Sequence, residues 1–193
     1  MTMTMTMVAP ATTDASGEQP AEVPLSPAQL LELLDEKKCA YTLHHHVAVF
    51  TVNEAQQVEA AIPGAHCRNL FLRDHKGRMA LLCLRNETRV DLKRLSLLLN
   101  MGRLSFGSPD RLWQHLGVRP GSVCPYAILN DRDEMVEIYL DASLFEADTV
   151  NFHPLENTMT LNTRPHDLKQ FLEQTGRMTH ILDFTPAAPQ EVA

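Results

Sequence analysis

The chain has no CxxC pair. Its four cysteines, Cys39, Cys67, Cys83 and Cys124, are scattered, so neither a disulfide framework nor a zinc ribbon is expected, and reduced thiols in the cytosol are the better reading. It has no excess of positive charge: 17 Lys and Arg against 24 Asp and Glu give a net charge of −7 and a pI near 5.7. That balance argues against a broad electrostatic grip on nucleic acid, although it leaves room for a small basic patch around one site. No apolar run approaches the ~20 residues that a membrane-spanning helix requires. Met1–Met7 lacks the basic flank and continuous apolar core of a signal peptide, which leaves a soluble, cytoplasmic reading with no membrane partner. GxSxG, P-loop and kinase signatures are absent, and so is any internal repeat.

What is present is enough for one domain. At 193 residues and 44% hydrophobic content the chain can bury a sizeable core. Residues 1–24 are rich in Thr, Ala, Pro and Glu without sustained periodicity and read as a disordered tail; residues 25–184 read as the domain and 185–193 as a short tail. Ser26-Pro27 and Ser108-Pro109 are helix starts, opening helices 27–38 and 109–116. Thr51 to Glu54 forms a capping box for a helix over 52–61. Asp91 caps a Leu-rich helix over 92–99 that Gly102 closes, and Pro165 starts a helix to about Gln174. Strands are expected from Tyr41, at 67–73 and 78–84 around an Asp74–Gly77 hairpin, at 104–106, 126–130, 135–140, 158–163 and 178–183. A helical turn is expected at 142–146, and loops at 117–125 and 151–157. Hairpins interrupt the helix–strand alternation too often for a doubly wound sheet, so the class is α+β around a mixed sheet.

Several stretches carry candidate chemistry. His44-His45-His46 invites a metal reading, but only His44 and His46 share a strand face and no carboxylate or cysteine lies at ligand spacing, so a surface cluster is the plainer account. Cys67 beside Arg68 could be an activated thiolate, against the commoner case of an inert buried cysteine. Arg68 and Asn69 place a cation and a two-way hydrogen-bonder at a strand entrance, a pairing suited to a phosphate or carboxylate. Gly121-Ser122-Val123-Cys124-Pro125 can hold a carbonyl or anion on successive backbone N–H groups, or it is an ordinary Gly/Pro connection. Phe152-His153-Pro154 sets an imidazole on a loop fixed by proline.

Taken together, His46 with Val49-Phe50-Thr51-Val52, Asn69 to Asp74, Gly102 to Phe106, Leu116-Gly117-Val118 with Pro120 to Val123, and Val150 to Leu155 resemble the YbaK/ProX family of aminoacyl-tRNA deacylases. Within it they are similar to the branch of free-standing prolyl-tRNA editing proteins, over residues 27–184. The resemblance implies an α+β domain whose mixed sheet curls around a substrate pocket. It implies hydrolysis of the aminoacyl ester of mischarged tRNA(Pro), chiefly Ala-tRNA(Pro), without metal or cofactor, the free hydroxyl of the terminal ribose assisting. By that resemblance Arg68, Asn69, Gly121 and His153 fall at catalytic positions, and His46, Phe50, Ser122 and Pro125 at substrate-binding ones. Aminoacyl-tRNA is the implied partner, with prolyl-tRNA synthetase or an elongation factor as candidate protein partners. Arg68 stands where the family carries lysine, and a guanidinium fork is not equivalent to a compact ammonium. Two readings therefore stand: a deacylase, or a catalytically silent module that binds the tRNA end or a synthetase.

Overall fold

Met79 to Leu84 is an unbroken apolar run, the pattern of a strand covered on both faces. In the computed structural model, which describes residues 23–48 and 52–184, all six of these residues are buried. Their strand lies inside an eight-stranded mixed sheet. In chain order the strands are β1 (Tyr41–His45), β2 (Ala65–Asp74), β3 (Met79–Arg85), β4 (Leu104–Phe106), β5 (Val136–Asp141), β6 (Val150–Phe152), β7 (Met159–Thr163) and β8 (Thr179–Leu182). The helices are α1 (Pro27–Glu36), α2 (Val52–Ala61), α3 (Leu92–Leu98), α4 (Pro109–Leu116) and α5 (Pro165–Gln174), with 3-10 helices at Pro125–Asn130 and Ala142–Glu146. The architecture is the α+β class expected.

The sheet runs β1-β7-β6-β2-β3-β5-β8, with β4 added to β2. β2 joins its two halves: Ala65 and His66 pair in parallel with β6, while Cys67 to Arg73 pair antiparallel with β3. Side-chain alternation then divides the interior. Met79, Leu81 and Cys83 face a core with Leu30, Leu116 and Phe171 of α1, α4 and α5. Ala80, Leu82 and Leu84 face a second core with Leu95 and Leu99, under α3. Each leucine buried in this way contributes about 1.5–3 kcal/mol.

The helix starts follow their sequence signals. Ser26 accepts from the Gln29 N–H in a reciprocal capping box with Pro27 at the first position. Asp91 accepts from the Lys93 and Arg94 N–H groups, and Ser108 accepts from that of Arg111. At the β2–β3 hairpin, buried Asp74 accepts from the N–H groups of Lys76, Arg78 and Gly102. Burial alone would raise its pKa; the three backbone donors outweigh that and hold the carboxyl below its usual range.

Three expectations are corrected. Residues 125–130 form a 3-10 helix, not a strand. Pro125 at its first position fixes φ and has no N–H for a sheet ladder, and the buried run Tyr126-Ala127-Ile128 suits either structure. Residues 150–152 are strand β6, so the loop begins only at His153; register with β2 and β7 supplies an order that no local signal carries. The left-handed residue after α3 is Asn100, at φ 48°. Gly102 instead gives room to His75, whose ring would lie 2.4 Å from an added Cβ. The expected capping box, through Thr51, and Phe50 lie outside the described residues, as do 1–22 and 185–193.

Candidate active site

The Pro63-Gly64 turn sets the position of β2. Gly64 has φ 97°, and a Cβ there would sit 2.3 Å from Thr149 Oγ1, so neither the conformation nor the space admits a side chain. The turn is held by two amides: Asn151 Nδ2 and Asn162 Nδ2 both donate to the Pro63 carbonyl, at 3.0 and 2.8 Å. Asn162 also donates to Asn151 Oδ1 at 2.9 Å. From this anchor β2 sends His66, Cys67 and Asn69 toward a small cavity of about 80 Å³, closed by Glu59, His153 and Thr160.

Asn69 is one of the polar residues that line that cavity. Its Nδ2 donates to the Val123 carbonyl at 2.8 Å, which ties the Gly121–Pro125 loop to β2. Its Oδ1 is buried and has no hydrogen-bond partner among the described residues. A buried acceptor left this way costs about 1–3 kcal/mol, so a donor brought by a ligand would relieve a standing penalty.

His153 stands at another wall, and His46 lies beside it outside the lining, the ring centroids 6.0 Å apart. His153 Nδ1 donates to the Met159 carbonyl at 2.8 Å, which leaves Nε2 as an acceptor in the neutral ring. Burial lowers the His153 pKa below 6.5; the Met159 carbonyl opposes this and His46 adds to it, so the ring is neutral at pH 7. His46 donates from Nδ1 to the Val47 carbonyl at 2.9 Å, and its Nε2 is hydrogen-bonded to Thr160 Oγ1 at 3.0 Å. The loop after His153 carries Leu155 at φ 70°, a strained conformation for a branched side chain.

The other expected residues lie around this group. Gly121, at φ 91°, has Asn157 of the His153 loop near the position of a Cβ, at 3.9 Å. The Ser122 N–H is used within its own turn, donating to the Arg119 carbonyl, so it is not a spare donor. Pro125 is buried at the start of its 3-10 helix. Arg68 points to the opposite face of β2, exposed, with its guanidinium donating to the Thr88 carbonyl. The Cys67 thiol lines the cavity but burial pushes its pKa up to about 12, which makes it a poor nucleophile. His44 is half-buried and His45 exposed, and no three His, Cys, Asp or Glu side chains converge as a metal site among the described residues.

Sequence reasoning missed Glu59, Thr160 and the anchoring pair Asn151 and Asn162. Glu59 Oε1 accepts from Asn86 Nδ2 at 2.9 Å at the cavity rim. Asn151 lies within the Val150–Leu155 motif but with no signal there of an anchoring role, and Glu59, Thr160 and Asn162 belong to no motif; the sheet register sets β6 beside β2 and β7 beside β6. Among the described residues no helix is long and apolar enough to cross a membrane.

Residues 46–171 match the family model described as the aminoacyl-tRNA editing domain. The chain is 35% identical over 144 residues to the prolyl-tRNA editing protein ProX of Acetoanaerobium sticklandii, covering 74% of this chain and 88% of that protein. It is 34% identical over 176 residues to prolyl-tRNA synthetase associated domain-containing protein 1 of Danio rerio, covering 90% and 95%. A crystal structure described as a candidate trans-editing enzyme for prolyl-tRNA synthetase superposes with a TM-score of 0.62 at 22% identity, over 84% of this chain and 99% of that one. The chain belongs to the aminoacyl-tRNA editing domain family.

Proposed function

We propose that the chain hydrolyses the aminoacyl ester of mischarged tRNA(Pro), with Ala-tRNA(Pro) as its main substrate. The observation that carries this reading is the unpartnered, buried Oδ1 of Asn69, a residue that lines a cavity of about 80 Å³. Space on that scale admits a small aminoacyl group and leaves the nucleotide outside. Excluding proline by size is the effective discrimination, since preference for one methylene is worth only about 1–3 kcal/mol.

Each wall has a part in the chemistry. Asn69 Oδ1 accepts from the α-ammonium of the aminoacyl group, and the Glu59 carboxylate at the rim favours the same positive charge. Neutral His153 offers Nε2 as the acceptor that holds a water or the free ribose hydroxyl. Water adds to the ester carbonyl, the bond to the ribose oxygen breaks, and that oxygen leaves with a proton, giving free amino acid and uncharged tRNA. The neighbouring hydroxyl assists, so the protein need supply no nucleophile, in keeping with the raised Cys67 thiol pKa. The Gly121 loop, tied to Asn69 through Val123, limits the depth of the pocket. Arg68 grips a phosphate of the terminal nucleotide beyond the cavity, giving up its bond to Thr88.

The position of Arg68 on the far face of β2 also favours a second reading, a module that holds the charged tRNA end without hydrolysing it. A deacylation panel separates the two. With Ala-, Ser-, Thr-, Cys- and Pro-charged tRNAs, the enzyme reading expects alanine to be lost fastest. Ester loss no faster than in the protein-free control throughout the panel would leave only the binding module.

A further inference from the structure

The acidic net charge conceals a strongly basic segment. Residues 68–119 hold eleven of the 17 Lys and Arg residues but four of the 24 Asp and Glu residues, a local excess of seven positive charges in a chain of net charge −7. The fold concentrates part of this excess on one side of the sheet. Arg68 lies on the α3 side of β2, the side of Leu70 and Leu72. Its bond to the Thr88 carbonyl brings it against the loop that leads into α3. Arg89 borders a shallow groove at the start of α3, Lys93 is exposed on that helix, and Arg103 is exposed just before β4, which packs beside α3. Arg89, Lys93 and Arg103 have no ionic partner among the described residues.

The acidic residues in this segment offset little of it. The Asp91 carboxylate caps α3, Asp74 is buried in its hairpin, Glu87 lies 3.5 Å from Arg85, and Asp110 is in the first turn of α4. The same face carries uncovered apolar side chains. Leu97 is 82% and Phe106 62% exposed, the latter on the same side of β4 as Leu104. Cations interleaved with an exposed aromatic ring are the surface chemistry of a site for a sugar–phosphate backbone, which takes the cations on phosphates and the ring on a ribose or base.

We propose that the α3 face, through Arg89, Lys93 and Arg103, is a docking surface for the sugar–phosphate backbone of the nucleic acid whose aminoacylated end enters the cavity. The inference rests on the function proposed above for what the cavity holds; the charge asymmetry that supports it does not. Arg68 lies between the two sites, so the backbone leaves the cavity past Arg68 and continues along α3.

The test uses the full chain, uncharged tRNA(Pro) transcript as probe, and the variant R89E/K93E/R103E, with Lys37→Glu just past the end of α1 as a charge-reversal control. The triple variant is expected to bind the transcript at least 10-fold more weakly at ~100 mM salt. The magnitude of its slope of log affinity against log salt should fall by about 2 for three lost phosphate contacts. Lys37→Glu should change neither. Hydrolysis of alanyl-adenosine, which has no backbone to dock, should be the same in the triple variant and the unmodified protein, which also reports an intact fold; should the triple variant fail to fold, the three single reversals take its place. Unchanged affinity and slope would overturn the proposal. So would loss of binding only to phosphatidylserine vesicles, which would make the face a membrane surface. If the unmodified protein hydrolyses no aminoacyl ester, the function proposed above fails, while the transcript arm still decides the docking surface.

Discussion

Asn69→Leu separates a residue kept for function from one kept for the fold. The substitution removes the 2.8 Å bond from Nδ2 to the carbonyl of the partly buried Val123, a loss of about 1–2 kcal/mol. It also removes the buried, unpartnered Oδ1, a relief of about 1–3 kcal/mol. The two nearly cancel, so unfolding free energy should move by no more than about 1 kcal/mol, a Tm shift of about 2–4 °C in a domain of this size. Catalysis has no such compensation. A hydrogen bond to a charged group, worth about 1.5–3 kcal/mol, disappears from the bound aminoacyl group, and kcat/KM should fall by about 10- to 150-fold. Urea denaturation and single-turnover deacylation of Ala-tRNA(Pro) measure the two quantities. A stability loss beyond about 3 kcal/mol with an unchanged rate per folded molecule would show that Asn69 serves the fold and that the reasoning is wrong.

The remaining predictions address the histidine wall, the β2 turn and the cation. Because burial holds the His153 pKa below 6.5, the unfolded chain takes up a proton that the folded one resists as pH falls from 6.5. Stability should therefore decline from 6.5 down to the folded pKa and be indifferent to His153 above 6.5. Activity should fall with an inflection below pH 6.5, and His153→Gln should abolish both effects, as checked by urea melts and rate profiles between pH 5 and 8. Gly64→Ala, at φ 97° with Thr149 Oγ1 at 2.3 Å, should cost about 3 kcal/mol or more in denaturant melts. Gly77→Ala, at φ 90° with nothing within 4 Å among the described residues, should cost only about 1–2 kcal/mol. Arg68→Ala should abolish activity on charged tRNA while Arg68→Lys preserves or raises it, and full activity of Arg68→Ala would remove that residue from the site.

Much of the fold was legible because its signals are local. The starts of α1 and α4, the Asp74 hairpin and the Asp91 cap all follow from side chains within a turn of one another. The expectations that failed depend on partners distant in sequence. Tyr126 to Ile128 is apolar and buried, and only Pro125 hints that it coils instead of extending. β6 is three residues long and exists because β2 and β7 flank it. The site divides in the same way. Asn69 and His153 sit in readable motifs, whereas Glu59 and Thr160 reach the cavity only through tertiary packing. Arg68 was legible as a cation beside Asn69, but strand alternation turns it to the other face, next to a basic segment that whole-chain charge had concealed.

The central claim is a small cavity that admits alanine and excludes proline while supporting ester hydrolysis. Its most direct test follows ester loss from Ala-tRNA(Pro) and Pro-tRNA(Pro) in parallel, with catalytic amounts of the protein and a protein-free control. The alanyl ester should be lost well above the control rate and the prolyl ester at the control rate. Loss of both at the control rate, or of the prolyl ester as fast as the alanyl ester, would contradict it.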